Sequence, residues 1–282
     1  MSFSLVLNSS NVVGNNNNTF QYKFINGNFR IPEGSEITIS NIVIPYSFYN
    51  VASYYNNQSF SFTFPNTATN TYNLTLTAGF YAITDINAYI QQYCIANSLY
   101  LIDGSGNNVY YINLSYNTNF YKIQLLCFAV PTALPSGYSA PAGWAGYPVA
   151  ATTPTFTVLN NNFGNLIGFT AGTYPTVAQA TSYSALSSIT PVGTIVNSLI
   201  IRCTIVDNPV SQPSDILDSM PIASSFGTNL TYSPSYEKWV RLKGGSYNSF
   251  QITFTDQNGG ILYALDPNVI ITLMVRFPKQ IQ

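Results

Sequence analysis

Phe60, Phe62 and Phe64 alternate with Ser61 and Thr63, and Phe250, Ile252 and Phe254 alternate with Gln251, Thr253 and Thr255. Period two puts the aromatic and aliphatic side chains on one face of a strand and the polar ones on the other, so both stretches are predicted strands with one buried side. SFSLVL (2–7), FQYKFI (20–25), EITISNIVI (36–44), YNLTL (72–76), VYYINL (109–114), FYKIQLL (120–126), TFTVL (155–159), LIIRCTIV (199–206) and VIITLMVRF (269–277) read as further strands, because β-branched and aromatic residues fit a pleated, half-buried surface. Between them stand Asn26-Gly27, Asp103-Gly104 and Asp256-Gln257-Asn258-Gly259-Gly260, residues that tolerate positive φ and let a hairpin close. About ten strands in one chain predict a sandwich or a jelly roll.

One stretch departs from this pattern. In FYAITDINAYIQQYCIANSL (80–99), Ile86, Tyr89, Ile90, Tyr93 and Cys94 recur at helical spacing, which gives one apolar face. Thr84 is the expected N-cap, and Asp85 places negative charge in the first turn where the helix dipole favours it. Such a helix reads as a connector packed over the edge or open end of a sheet. SDILDSM (214–220) could form a second, short helix capped by Ser214 with Asp215 in its first turn. Five prolines between 129 and 155 (Pro131, Pro135, Pro141, Pro148, Pro154) exclude regular structure there, and a Gly-, Ser- and Thr-rich stretch follows from about 170 to 198. The expected organisation is one domain over 1–282 with a loop insertion over 129–198; a two-domain chain with a linker at the first stretch is the alternative.

Composition changes the picture in one respect. Hydrophobic residues at 46% can fill a core, but charged residues make up 7%, against about 25% in an ordinary soluble domain. Net charge is -1. A chain with neither a charged surface nor a net charge away from zero tends to associate, so its surface is expected to be covered by neighbours. Aromatic residues at 15%, with 22 Tyr and 18 Phe, suit strand faces and protein interfaces alike.

Candidate chemistry is sparse. The absence of histidine removes Ser-His-Asp and Cys-His catalysis and histidine-ligated zinc. Of the ten carboxylates, Glu33 with Glu36 reads as a solvated turn, and Asp215 with Asp218 is a weak candidate for acid–base work. DGSGNN (103–108) and DQNGG (256–260) lack the further acidic ligands of a calcium loop and read as hairpin turns. Cys94, Cys127 and Cys203 lie far apart in apolar runs, so buried free thiols are expected. No cofactor and no metal are expected, and the phosphate-binding glycine motifs are missing. The amino terminus MSFSLVLNSSN does not read as a secretory signal, which points to synthesis in the cytoplasm. The apolar run around IVNSLIIRCTIV is broken by Asn197, Ser198 and Arg202, so no membrane-spanning helix is predicted. Lys238, Arg241 and Lys243 in SYEKWVRLKGGSY form the one basic cluster. It is too small for a nucleic-acid groove, and with Trp239 it makes a candidate interface.

ITISNIVIPYSFYNV (37–51), GFYAITDINAYIQQYC, FGNLIGFTAGTYP (163–175), Met220-Pro221-Ile222 and the closing FQITFTDQNGGILYALDPNVIITLMVRF occur in an order that resembles the penton or minor capsid proteins of virophages, Polinton-like viruses and some giant DNA viruses. The resemblance spans most of the chain. It implies an all-β single jelly roll, a two-sheet antiparallel sandwich with one short crossover helix and long loop insertions. It further implies a non-enzymatic structural protein of the virion, made in the host cytoplasm. Five copies would close around the fivefold vertex of an icosahedral capsid and contact the double jelly-roll major capsid protein, with other minor capsid proteins as further partners. A minor capsid, fibre or spike-like β-sandwich binding protein is the alternative.

Overall fold

The computed structural model describes residues 2–67 and 69–278. The first strands are β1 (Ser2–Leu7), β2 (Thr19–Lys23), β3 (Phe29–Ile31), β4 (Glu36–Pro45), β5 (Ser59–Phe64) and β6 (Asn70–Thr75), followed by helix α1 (Ile83–Ala96). Then come β7 (Leu101–Ile102), β8 (Asn108–Val109), β9 (Ile112–Asn117), β10 (Lys122–Cys127), β11 (Thr155–Val158), the one-turn α2 (Phe163–Ile167), β12 (Gly172–Tyr174) and β13 (Tyr183–Leu186). The last are β14 (Ser198–Cys203), β15 (Ile216–Pro221), β16 (Asn229–Tyr232), β17 (Val240–Arg241), β18 (Gly245–Tyr247), β19 (Ser249–Asp256) and β20 (Ile270–Arg276). The chain packs as two compact units, Met1–Phe48 with Val196–Gln282, and Tyr49–Ile195. Where the sequence predicts a single domain with an insertion over 129–198, the stretch set between β4 and β14 starts at Tyr49 and has a core of its own.

The first unit is a single jelly roll. One sheet runs β1-β20-β4-β16, with β17 also on β4, and the other runs β2-β19-β14-β15. Every pairing is antiparallel. Going from β1 to β2, β4, β14, β15, β16, β19 and β20, the chain changes sheet at every step except β14 to β15, as a double-sheet Greek-key roll requires. Leu5, Leu7, Ile37, Ile39 and Leu273 from one sheet and Phe20, Leu199, Ile201, Phe250 and Phe254 from the other are buried. The inward positions of β4 change phase along the strand, Ile37 and Ile39 first and then Ile42 and Ile44. The cause is a bulge: Ile39 faces Leu273 and Asn41 faces Thr272, so Ser40 is the extra residue. One inserted residue restores the inward direction that strict alternation would lose.

The second unit holds two larger sheets, β12-β11-β5-β6 and β13-β10-β9, and the two-stranded β7-β8. Phe60, Phe62 and Phe64 are buried as predicted, and Phe60 stacks on Phe163 with ring centroids 4.5 Å apart. Helix α1 belongs to this unit and not to a jelly-roll crossover. It buries Ile86, Ile90 and Cys94 against the same core, and Asn87 Oδ1 accepts the backbone N–H of Leu114 in β9 at 2.8 Å. The helix therefore covers the edge of a sheet and satisfies an edge donor that would otherwise invite another strand. Its start is corrected by two residues: Ala82 is the cap residue in place of Thr84, and the Ala82 N–H donates to Asp85 Oδ2 at 2.8 Å. The proline-rich stretch carries no strand or helix, yet it is tied down by the Val130–Thr152 and Ile102–Ser139 bridges and by Trp144 edge-on to Phe64 at 5.9 Å.

Candidate interface

The four residues singled out in the sequence, Lys238, Trp239, Arg241 and Lys243, lie on the segment that runs into and past β17 in the jelly-roll unit. Each finds a different partner. Lys238 Nζ donates to Asp218 Oδ1 at 3.0 Å, and the Tyr232 hydroxyl donates to Asp218 Oδ2 at 2.6 Å. The hydrogen bond to Asp218 raises the Lys238 pKa; that of Tyr232 is raised by burial first and by the same carboxylate second. The guanidinium of Arg276 lies 4.1 Å from the centroid of the Trp239 ring and also pairs with Glu36, and the Trp239 indole N–H donates to Glu237 Oε2 at 2.9 Å. Arg241 sits opposite Glu36 in the β17–β4 ladder, but its guanidinium reaches only to 3.9 Å from Asp207. Lys243 is exposed and has no ion-pair partner among the described residues. Lys243 is thus left without an ion pair and Arg241 holds only a long one, while Lys238 and Trp239 are engaged by side chains from elsewhere in the chain. Exposed pairs of this kind contribute about 0–1 kcal/mol each to folding.

The residues that complete these contacts, Glu36, Asp218, Tyr232 and Arg276, were not read as partners of the basic cluster. No local spacing signals them, because Glu36 and Arg276 are brought opposite each other only by the β4–β20 ladder. SDILDSM is not a short helix: from Ile216 onward it runs into strand β15. Asp215 and Asp218 do not act together: Asp215 receives two hydrogen bonds from Arg202 Nε (3.0 and 3.1 Å) and one from a terminal guanidinium nitrogen (2.8 Å), while Asp218 faces Tyr232 and Lys238. A fork-on-carboxylate pair positions two strands; here those are β14 and the start of β15.

The two turn sequences are also accounted for locally. Asp103 accepts from the N–H groups of Ser105 and Asn107 and from the Asn107 amide, which lowers its pKa, and Asp256 accepts from the N–H groups of Asn258 and Gly260. Among the described residues, no group of three or more metal-ligating side chains occurs, and no helix is long and apolar enough to cross a membrane. Cys94, Cys127 and Cys203 are free and buried, and burial pushes each thiol up to about 12. The second unit carries a cavity of about 280 Å³ lined by Tyr55, Asn57, Asn162, Asn165, Leu166, Val192 and Ile195.

No protein-family profile and no curated protein matches the chain. Two solved structures resemble it along nearly all their length. The mavirus penton protein is 10% identical with a TM-score of 0.42, and 98% of each chain is covered. A chain of the Sputnik virophage structure is 12% identical with a TM-score of 0.39, and 97% of each chain is covered.

Proposed function

We propose that the chain is a structural viral capsid protein, a penton that forms a homopentamer at the fivefold vertices of an icosahedral capsid and contacts the double jelly-roll major capsid protein. The observation that carries this reading is the strand order of the first unit, β1-β20-β4-β16 over β2-β19-β14-β15, together with the ordered motifs that resemble penton proteins. A jelly roll alone serves many functions. What favours assembly is the surface. A ring of identical subunits repeats every surface charge around its axis, so a charge-poor exterior avoids repeated like-charge approaches while Asn, Ser, Thr and Tyr pair without repulsion. Arg241 and Lys243, the underused charges of the candidate interface, fit a second role, a polar rim against a non-identical capsid neighbour.

The test is the copy number and location: sedimentation of the purified chain, then electron microscopy of assembled particles. Five copies at the vertices support the reading, and a chain that never forms a ring overturns it. The minor capsid, fibre or spike-like alternative is favoured by the 280 Å³ cavity, whose amide, tyrosine and aliphatic lining suits an uncharged ligand. A trimer would point to that role.

A further inference from the structure

Three stretches of the inserted unit meet around its cavity of about 280 Å³: the turn ahead of β5, the one-turn α2, and the loop that ends at Ile195. They are tied together through backbone groups. The Asn57 amide, 1% exposed, accepts the Ala52 N–H at 3.0 Å and donates to the Asn50 carbonyl at 2.8 Å. Asn162 donates from its backbone N–H to the Asn56 carbonyl and from its side chain to the Tyr55 carbonyl, both at 2.8 Å. The Val192 N–H donates to the Asn165 carbonyl at 2.9 Å, and the Asn50 side chain holds the Gly193 carbonyl at 2.7 Å. A cavity whose walls are fixed before anything enters loses little ordering entropy on binding.

Those bonds leave part of the polar lining unused. The Asn165 side-chain amide and Asn162 Oδ1 have no hydrogen-bond partner among the described residues, and both residues are exposed. Asn165 thus presents two N–H donors and an acceptor, and Asn162 presents a further acceptor. Tyr55, Leu166, Val192 and Ile195 supply apolar surface to the same cavity, and none of the residues lining it is charged.

This lining selects a ligand class. A phosphate or carboxylate would give up its hydration with no cation there to replace it. A wholly apolar ligand would take the Asn162 and Asn165 amide groups out of water without a partner. What matches is an uncharged molecule with hydroxyls on its edge and C–H groups on its faces. The volume lies just below the range of about 300–1,000 Å³ usual for ligand pockets, which sets the ligand at one ring. We infer that the cavity is a site for a neutral pyranose sugar. Ring hydroxyls exchange hydrogen bonds with the Asn162 and Asn165 amides, and the C–H faces rest on Tyr55 and the aliphatic wall. Asn162, Asn165 and Val192 are exposed, so the site admits a free sugar or the end residue of a glycan chain. The inference rests on the cavity alone, and the penton reading, tested by copy number, stands or falls separately.

The experiment is saturation-transfer difference NMR on the full chain, titrated with the methyl glycosides of glucose, galactose, mannose and N-acetylglucosamine. An array of neutral and sialylated oligosaccharides accompanies it. At least one neutral sugar is expected to bind, with a dissociation constant of about 1 mM for a single ring. Asn165→Ala removes the unused amide but keeps the carbonyl that holds Val192, and is expected to weaken binding about tenfold. Val192→Trp fills the cavity and is expected to abolish binding. Val149→Trp, at a 100% exposed position outside the lining, should bind as the wild type does. Thermal melts screen each variant for folding. Binding on the array but not to the single rings supports the site and assigns it to a glycan chain. No binding of neutral sugars in either format, or binding confined to sialylated ones, overturns the ligand class. Unchanged affinity in either folded cavity variant overturns the location.

Discussion

The side-chain amide of Asn50 donates to the carbonyl of Gly193 at 2.7 Å, joining the beginning of the inserted unit to its end. The same side chain donates to the Tyr81 carbonyl at 2.9 Å and accepts the Tyr81 N–H at 2.8 Å, and Asn50 is 1% exposed. Both ends of the amide are therefore satisfied in a buried position. Replacing Asn50 with Ala leaves the N–H and carbonyl of half-buried Tyr81 without this partner, each worth about 1–3 kcal/mol when unpaired, while the carbonyl of exposed Gly193 can turn to water. The variant is expected to lose about 3 kcal/mol or more in denaturant titration, and a loss below about 1 kcal/mol would show that water replaces the clamp.

Gly168 ends α2 with φ 76°, and a Cβ there would come within 2.6 Å of the Ile189 carbonyl oxygen and 2.8 Å of Ser187 Oγ. Both the backbone conformation and the lack of space require glycine. Gly168→Ala is expected to cost more than about 2 kcal/mol, with Gly193→Ala, which has open space around it, as the neutral comparison. Equal melting temperatures for the two variants would contradict this account of the turn.

Stability should change little with pH near neutrality and fall in alkali. There is no histidine to titrate. The three buried thiols ionise near 9.0 when unfolded but only near about 12 in the folded chain. Their folded pKa is raised, so the stability they contribute is complete below pH 9 and is lost as pH rises toward 12. The slope is about 1.4 kcal/mol per pH unit for each thiol in that window. Urea unfolding at pH 7, 8, 9.5 and 10.5 checks it. The triple Cys→Ala chain should show a shallower alkaline decline than the wild type, and identical slopes would exclude the thiols as the cause.

Lys243 has no ion-pair partner among the described residues, so Lys243→Glu is expected to change folding stability by less than about 0.5 kcal/mol. Under the capsid reading the same reversal lowers incorporation into particles. Measured incorporation equal to wild type would remove Lys243 from the interface.

Much of the strand content was legible because long strands buried on one face keep period two: β1, β5, β10, β19 and β20 stand where alternation placed them. β12, β17 and β18, of two or three residues, are too short to show a period, and Ser214 and Asp215, just ahead of β15, have the pattern of a helix start. The Ser40 bulge cannot be read from alternation, since it is the one residue that breaks it. The jelly-roll order and the extent of the inserted unit depend on partners far apart in sequence, such as Ser2 with Arg276 and Asn50 with Gly193. Of the candidate interface, the basic cluster was visible in the sequence, but which of its charges find partners within the chain was not. That depends on Asp218 and Arg276, which reach the cluster from other strands.

The most direct measurement is the mass of the assembled wild-type chain, by native mass spectrometry or light scattering at high concentration. A five-copy ring of 30.9 kDa subunits is expected. A stable, dispersed monomer, or a closed ring of any other number, would contradict the vertex role.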